Sequence, residues 1–448
     1  MKNRALHLLR AVLSLCLASL LLAGCALPRA AAEEPRAITS PQEAEAFVRT
    51  LFGEHPESLD GAWLLTEQME KALQGMGGFA GAARSLAALG AAEQIGPAYA
   101  EKSSFRVPCR FSAMPLDIVL TLSDGALAGL TTAFYTGSAN EAAGDFDSVD
   151  LSVPVPALNG ELPGTLTLPR GEGPFPAVVL VHGSGPSDRD ESVGNLYPFR
   201  DIAQGLAERG VAVFRYDKRT YVYGVQMAAN RQATLMDETV DDAVAAVQTA
   251  AAQEKIDPSR IFVLGHSLGA TAIPAIDGAL QGAPVQARGY ILMAPGARRL
   301  DVMMREQYDF LFSLMPEITE EAQAQKDQLF RELDRLEDLD ALSESDLIAG
   351  AYAPYWQWLA DYDMLKAAGE ITIPCLLLQG EEDYQVTMED YELWRQAVGG
   401  RENWTFIAYP GLTHPFVPGE KAEGANVYAK DEKVAPQVIG DIADFILK

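Results

Sequence analysis

Near the middle of the chain, Gly265-His266-Ser267-Leu268-Gly269 sets a serine between two glycines in the spacing G-x-S-x-G. The apolar run RIFVLGHS leads into it, and LGATAIPAIDGAL, with the character of a helix, leads out. A serine on a tight strand-to-helix turn exposes its hydroxyl above the sheet, and the crowding of that turn admits only small residues two positions to either side. Such a hydroxyl can attack a carbonyl carbon if a base takes its proton. The chain has five histidines. His7 lies in the N-terminal leader, His55 in a separate segment, His182 ends an apolar run and His266 adjoins the serine. His414, in GLTHPF, is the histidine that follows Ser267.

The segments that must carry these residues alternate in character. AVVLVHG, VAVFRYD, IFVLGHS, GYILMAP, CLLLQG and WTFIAYP are continuous apolar runs, expected of strands buried on both faces. Helical segments such as TLMDETVDDAVAAVQTAAAQ lie between them. The alternation predicts an α/β architecture, a mostly parallel sheet with right-handed crossovers, from about Val149 to the C-terminus. Residues from about 297 to 361 interrupt it with a charged, helical stretch. An insertion at a strand's C-terminal end sits over the place where such sheets bind ligands, so this stretch is expected to form a cap.

Residues 149–448 resemble an α/β-hydrolase, of the bacterial carboxylesterase and acylpeptidase-like branch. The likeness rests on GHSLG, HGSGP, GEEDYQV and GLTHPF. In that fold the chain order is serine, acid, histidine, which implies Ser267 as nucleophile and His414 as base. The family sets its acid a few residues past a strand-ending glycine and shortly before a valine. That implies Asp383 in CLLLQGEEDYQV, with Glu381 and Glu382 solvated or salt-bridged, and with Asp361 and Asp363 fitting less well. Asp383 would hold His414 in one tautomer and stabilise its imidazolium. The resemblance also implies an oxyanion hole made by the backbone N–H groups of Leu268 and of Ser184 in HGSGPSDRDE. Gly183 and Gly185 would let that backbone approach the substrate, with His182 structural behind it. RYDKRT, residues 215–220, is expected to pair its charges with the loop 188–191. Trp356, in YAPYWQWLADYD, either lines an acyl pocket or packs the cap onto the sheet. HGSGPSDRDE lacks the third glycine and the helix of a dinucleotide fingerprint. Asp188, Asp190 and Glu191 lack calcium-loop spacing, and no zinc pattern is present. No metal or cofactor is therefore expected.

At the N-terminus, Lys2, Arg4 and Arg10 precede a run of apolar and small residues, Ala11 to Gly24, that ends in Leu22-Ala23-Gly24-Cys25. The segment has secretory proportions, and its end resembles the bacterial lipobox. That resemblance implies a signal peptide over residues 1–25, a lipid on Cys25 and a tether over residues 26–41. The chain would then sit outside the cytoplasm, anchored to a membrane of the bacterial cell envelope without a transmembrane helix. The alternative is ordinary cleavage nearby and a soluble secreted product. Residues 42–137 read as a small α+β domain. Its helices are QEAEAFVRTLF, AWLLTEQMEKALQGM and FAGAARSLAALGAAEQI, and its strands are SSFRVPCRF, PLDIVLTLS and LAGLTTAFY, the last two joined by a turn at Ser123-Asp124-Gly125. The order is similar to the cone-shaped domains of the nuclear-transport-factor-2 type. Residues 138–148 read as a polar linker.

Composition removes other classes. The 448 residues include 62 acids against 35 Lys and Arg, a net charge of −27 that leaves no electrostatic footprint for nucleic acid. Apolar residues make up 48%, which excludes wholesale disorder. No run of about 20 apolar residues suggests a polytopic membrane protein. Of four cysteines, Cys16 leaves with the leader and Cys25 takes lipid. Cys109 and Cys375 remain, and Cys375 reads as a buried thiol. The reading that joins these features is a serine hydrolase cleaving a small-molecule carboxylic ester through an acyl-enzyme. The alternative is a serine peptidase or amidase with the same triad, in which Asp188, Asp190 or Glu191 receives a substrate amino terminus. A purely binding surface protein would not need the complete set.

Overall fold

The computed structural model describes residues 35–96, 98–101, 104–111, 115–123, 125–134 and 144–448. The expected signal peptide and lipobox with Cys25, most of the tether, Asp124 of the expected turn and residues 138–143 of the expected linker lie outside them. The chain forms two compact units, divided between residues 143 and 144.

The first unit opens on helix Pro41–Leu51, which buries Ala44, Phe47, Val48 and Leu51 on one face. The Ser40 hydroxyl caps it, accepting the Glu43 N–H at 3.3 Å. Helices Glu67–Met76 and Gly78–Ser85 follow. Strands β1 (Ala92–Ile95), β2 (Tyr99–Glu101), β3 (Ser104–Phe111), β4 (Pro115–Ser123) and β5 (Ala126–Phe134) form an antiparallel sheet in the order β1-β3-β4-β5, with β2 also on β3. Phe47, Phe79, Val107, Ile118 and Leu120 share its core. Several boundaries differ from the sequence reading, the second helix beginning at Glu67 behind its cap Thr66 and not at Ala62. The third helix stops at Ser85 instead of reaching Ile95; a 3-10 turn, Ala87–Leu89, follows, and Gly90, at a φ of 79°, ends that turn and releases the chain into β1. The folded unit also begins ahead of residue 42, since Ile38 is in the core.

In the second unit β6 (Phe146–Val155), β7 (Gly160–Pro169), β8 (Phe175–Val181), β9 (Ala212–Tyr216), β10 (Ile256–His266) and β11 (Gly289–Met293) lead to the cap. The cap comprises helices Leu300–Ser313 and Glu320–Asp334, a short hairpin of β12 (Leu347–Ile348) and β13 (Ala351–Tyr352), and helix Ala353–Asp361. β14 (Cys375–Gly380) and β15 (Trp404–Tyr409) complete a sheet ordered β15-β14-β11-β10-β8-β9-β7-β6. β7 runs antiparallel to β6 and β9, and the other neighbours are parallel. This is the α/β-hydrolase fold. β6 starts at Phe146, inside the expected linker. It is an edge strand, and Ser148, Val149 and Asp150 are exposed on it, so it reads as polar chain. Along β8, Val179 and Val181 face one core while Val178 and Leu180 face the other, which is why the strand is a continuous apolar run. β8 lies between β9 and β10, so the crevice at the C-terminal ends of β8 and β10 is the topological switch point. No helix among the described residues is long and apolar enough to cross a membrane.

Candidate active site

Ser267 stands at the C-terminal end of β10, with φ 54° and ψ −118°, and helix Leu268–Thr271 begins immediately after it. A non-glycine residue in that region carries about 1–3 kcal/mol of strain and needs its surroundings to hold it. The Ser267 N–H donates to Met293 O at 2.8 Å. The flanking glycines are required by space. A Cβ on Gly265 would lie 2.3 Å from Gly269 O, and one on Gly269 would lie 2.2 Å from Val181 O.

Asp383 and His414 come from the two loops that leave β14 and β15. Asp383 Oδ2 accepts the His414 Nδ1–H at 2.6 Å. Its Oδ1 accepts backbone N–H groups of Gln385 at 2.7 Å and Val386 at 3.0 Å, which aim the carboxylate. Both residues are buried. With Nδ1–H given to Asp383, Nε2 of the neutral ring presents a lone pair. The loop carrying His414 crosses the end of β14 at Gly380, where a Cβ would meet Leu412 O at 2.4 Å and Thr413 O at 2.8 Å. The structure thus joins Asp383 to His414 directly. Among the described residues the Ser267 hydroxyl is not hydrogen-bonded to His414, a bond that often tightens only with substrate in place. Their loops meet through His266, whose Nε2–H donates to His414 O at 3.1 Å.

The Ser184 loop reaches the same point. A Cβ on Gly183 would lie 3.2 Å from Ser267 Cβ, so glycine there lets the loop close on Ser267. Gly185, at φ 83°, turns the exposed tip. Neither the Ser184 nor the Leu268 N–H has a protein acceptor among the described residues, and Leu268 as the first residue of its helix has none within the helix.

Residues 173–421 match the family described as serine aminopeptidase, S33. Esterase EstD of Thermotoga maritima is 36% identical over 351 residues, covering 78% of this chain and 81% of EstD. The chain belongs to this S33 hydrolase family. The matched span of the S33 hydrolase contains Ser184, Ser267, Asp383 and His414, and the likeness to EstD makes it a carboxylesterase-like hydrolase. Among solved structures, Est1E from Butyrivibrio proteoclasticus aligns at 17% identity and a TM-score of 0.42, over 66% of this chain and 97% of Est1E. A Mycobacterium tuberculosis puromycin-hydrolyzing peptidase aligns at 16% identity and a TM-score of 0.45, over 79% of this chain and 47% of the peptidase. At these scores the structural likenesses carry no argument of their own.

Behind the Ser184 loop the S33 hydrolase buries a dense set of charges. Arg189 grips Asp217 through Nη2 at 2.9 Å and Nε at 3.0 Å, and Asp190 pairs with Arg215. Arg215 and Asp217 of RYDKRT thus pair with the loop 188–191 as expected, whereas Lys218 pairs with Glu238 and Arg219 with Asp242. His182 Nε2–H donates to Asp188 O at 2.9 Å, and burial holds its ring down to about 4, so it is neutral and structural. Asp188 accepts from Ser192 Oγ at 2.7 Å, and burial followed by the nearby Asp190 pushes its carboxyl up to about 7. Glu191 Oε1 accepts the Gly183 N–H at 2.8 Å. Its Oε2 is 2.9 Å from His266 Nδ1 but off the line of a hydrogen bond, so that contact is Coulombic.

Trp356 takes neither of its two expected places, the acyl pocket or the seam between cap and sheet. It packs in the cap's own small core with Leu333, Leu336 and Ile348, and its indole N–H donates to Ile348 O at 3.0 Å. The neighbouring Tyr355 points instead to Glu238, donating its hydroxyl proton to Oε2 at 2.7 Å. Glu238 had no signal in the sequence, being one acid of several in TLMDETVDD. In the structure it sits on a π-helical turn, Met236–Val240, a feature that often marks functional positions. Glu381 is exposed and Glu382 accepts the Lys421 N–H at 2.8 Å. Asp363 caps helix Met364–Ala368, and Cys375 is a buried thiol pushed up by burial.

Proposed function

We propose that this S33 hydrolase cleaves carboxylic esters with Ser267 as nucleophile, His414 as base and Asp383 as orienting acid. The observation that carries the reading is the 2.6 Å Asp383–His414 bond beside a strained serine at the sheet's switch point. Ser267 Oγ attacks the ester carbonyl carbon while its proton passes to His414 Nε2. The oxyanion accepts hydrogen bonds from the Leu268 and Ser184 N–H groups. As the tetrahedral intermediate collapses, His414 returns the proton to the departing alcohol. Water, deprotonated by His414, then releases the acid from the acyl-enzyme.

The committed acids support ester over peptide. Asp188, Asp190 and Glu191 are each engaged with internal donors or cations, so none is set aside for a substrate ammonium group. The test assays p-nitrophenyl esters from acetate to decanoate, and aminoacyl p-nitroanilides in parallel, with wild type and Ser267→Ala. Ester turnover abolished by Ser267→Ala is the expected result. Anilide turnover exceeding ester turnover moves the assignment to a peptidase.

The anchoring is part of the same proposal. Lipid on Cys25 would hold the enzyme at the envelope, and Cys25→Ser is expected to move it from the membrane fraction to the soluble one. The three helices and antiparallel sheet of the first unit support a nuclear-transport-factor-2-type domain ahead of the hydrolase.

A further inference from the structure

The oxyanion donor assigned to Ser184 belongs to a peptide unit whose other end is the Gly183 carbonyl. That carbonyl does not face solvent. Lys218, 2% exposed, donates its ammonium to Gly183 O at 2.7 Å and holds Glu238 Oε1 at 2.5 Å. Tyr355, on the last helix of the cap, donates to the other oxygen of Glu238 at 2.7 Å. Burial, then the facing Glu238 carboxylate, raises the Tyr355 phenol well above its ordinary value, so it serves as a proton donor.

We infer that Lys218 is a positioning residue for the oxyanion hole, which orients and polarises the Gly183–Ser184 peptide, and that Glu238 and Tyr355 tie this residue to the cap. The inference rests on the ester-hydrolase reading above. An ammonium on a carbonyl oxygen draws density along the amide toward that oxygen, which leaves the N–H at the other end of the unit more positive. It also fixes the peptide plane, so the N–H points at the oxyanion without reorganising during the reaction. The Glu191 carboxylate on the Gly183 N–H clamps the preceding peptide from the other side. The low-dielectric surroundings strengthen both effects. No proton leaves Lys218. It acts through Gly183, and it touches neither the nucleophile nor the base. The path from Tyr355 through Glu238 and Lys218 to Gly183 gives cap position a direct route to the donor that catalysis uses.

The test uses the full chain and a matched pair of aryl esters, one with a C=O and one with a C=S group. Sulfur is the weaker acceptor, so the carbonyl ester depends more on the Ser184 donor. The variants are Lys218→Met, Lys218→Met/Glu238→Gln and Tyr355→Phe, each checked for folding by circular dichroism. The Lys218 variants are expected to lose about tenfold or more in kcat on the carbonyl ester, with KM little changed and the C=O to C=S ratio falling in step. Tyr355→Phe is expected to lower the same ratio by a smaller factor. If Lys218→Met fails to fold because Glu238 is left unpaired, the double variant, which removes both charges, and Tyr355→Phe give the result. An unchanged ratio in any variant that folds overturns the inference. Ser267→Ala run alongside separates the two levels. Retained turnover there sinks the nucleophile reading itself, whereas a dead Ser267→Ala with an unchanged ratio sinks Lys218 alone.

Discussion

His266 occupies the middle of the G-x-S-x-G motif, yet its role lies in its two ring nitrogens. One meets Glu191 and the other meets the backbone of His414. Burial opposes charge on both His266 and Glu191, but each partner, together with the His414 carbonyl and Asp383 for His266 and with His182 and the Gly183 N–H for Glu191, outweighs that penalty. The His266 pKa is raised from 6.5 and the Glu191 pKa is lowered from 4.5. The stabilisation from the raised histidine is full below 6.5 and fades as pH climbs through its folded value. That from the lowered glutamate is full above 4.5 and fades as pH falls through its folded value. The pair therefore stabilises most between 4.5 and 6.5. Glu191→Gln is expected to destabilise the fold by about 3–5 kcal/mol at pH 5.5. Denaturant unfolding of both proteins should show that gap narrowing at alkaline pH, and a gap that is flat with pH would dismiss the ion pair. The motif's glycines were readable from one line of sequence because their reason is local crowding. The partner of His266 was not, since Glu191 lies far from it in the chain.

Strands and loops carry the remaining precision. β14 ends in Gly380, and the loop bearing His414 passes over it at a separation no Cβ allows. Gly380→Ala is expected to displace His414 from Asp383. A shift of about 1 Å in catalytic geometry costs about a hundredfold in rate, so kcat should collapse while circular dichroism stays native. Unchanged kcat would mean that the loop finds another path. Five strands, β8, β9, β10, β11 and β14, are covered on both faces and were legible as apolar runs, whereas β15, read the same way, is an edge strand with Thr405 exposed. β6 was not, because an edge strand half in water resembles linker. On helix Ala353–Asp361 consecutive side chains point about 100° apart, so Tyr355 and Trp356 go to different places despite being neighbours. Trp356→Ala removes a large part of the cap's small core, at about 3–5 kcal/mol. Hydrogen exchange should then speed up across residues 300–361 and leave β8, β10 and β14 protected.

The two units have separate cores, built from non-overlapping sets of residues on either side of position 143. A unit with its own core can fold alone. A chain of residues 144–448 is therefore expected to unfold cooperatively and to keep ester turnover within about twofold of the full chain. Loss of turnover in a well-folded fragment would assign the first unit a part in substrate handling.

Patterns within about ten residues were open to sequence reasoning. The turn at Ser267, the glycines beside it, the buried parallel strands and the helical insertion all follow from local sterics and from which faces are wet. The order serine, acid, histidine that the resemblance implies left His414 as the single downstream histidine. What needed the folded chain was every relation across the sheet. It brings Asp383 to His414, lays Gly380 under the loop that carries His414, and sets the carboxylate of Glu191 between Gly183 and His266. It also seats Lys218 on the Gly183 carbonyl, with Glu238 and Tyr355 behind it. Charges buried far from their partners in sequence leave no periodic signal, because only packing decides which acid meets which base.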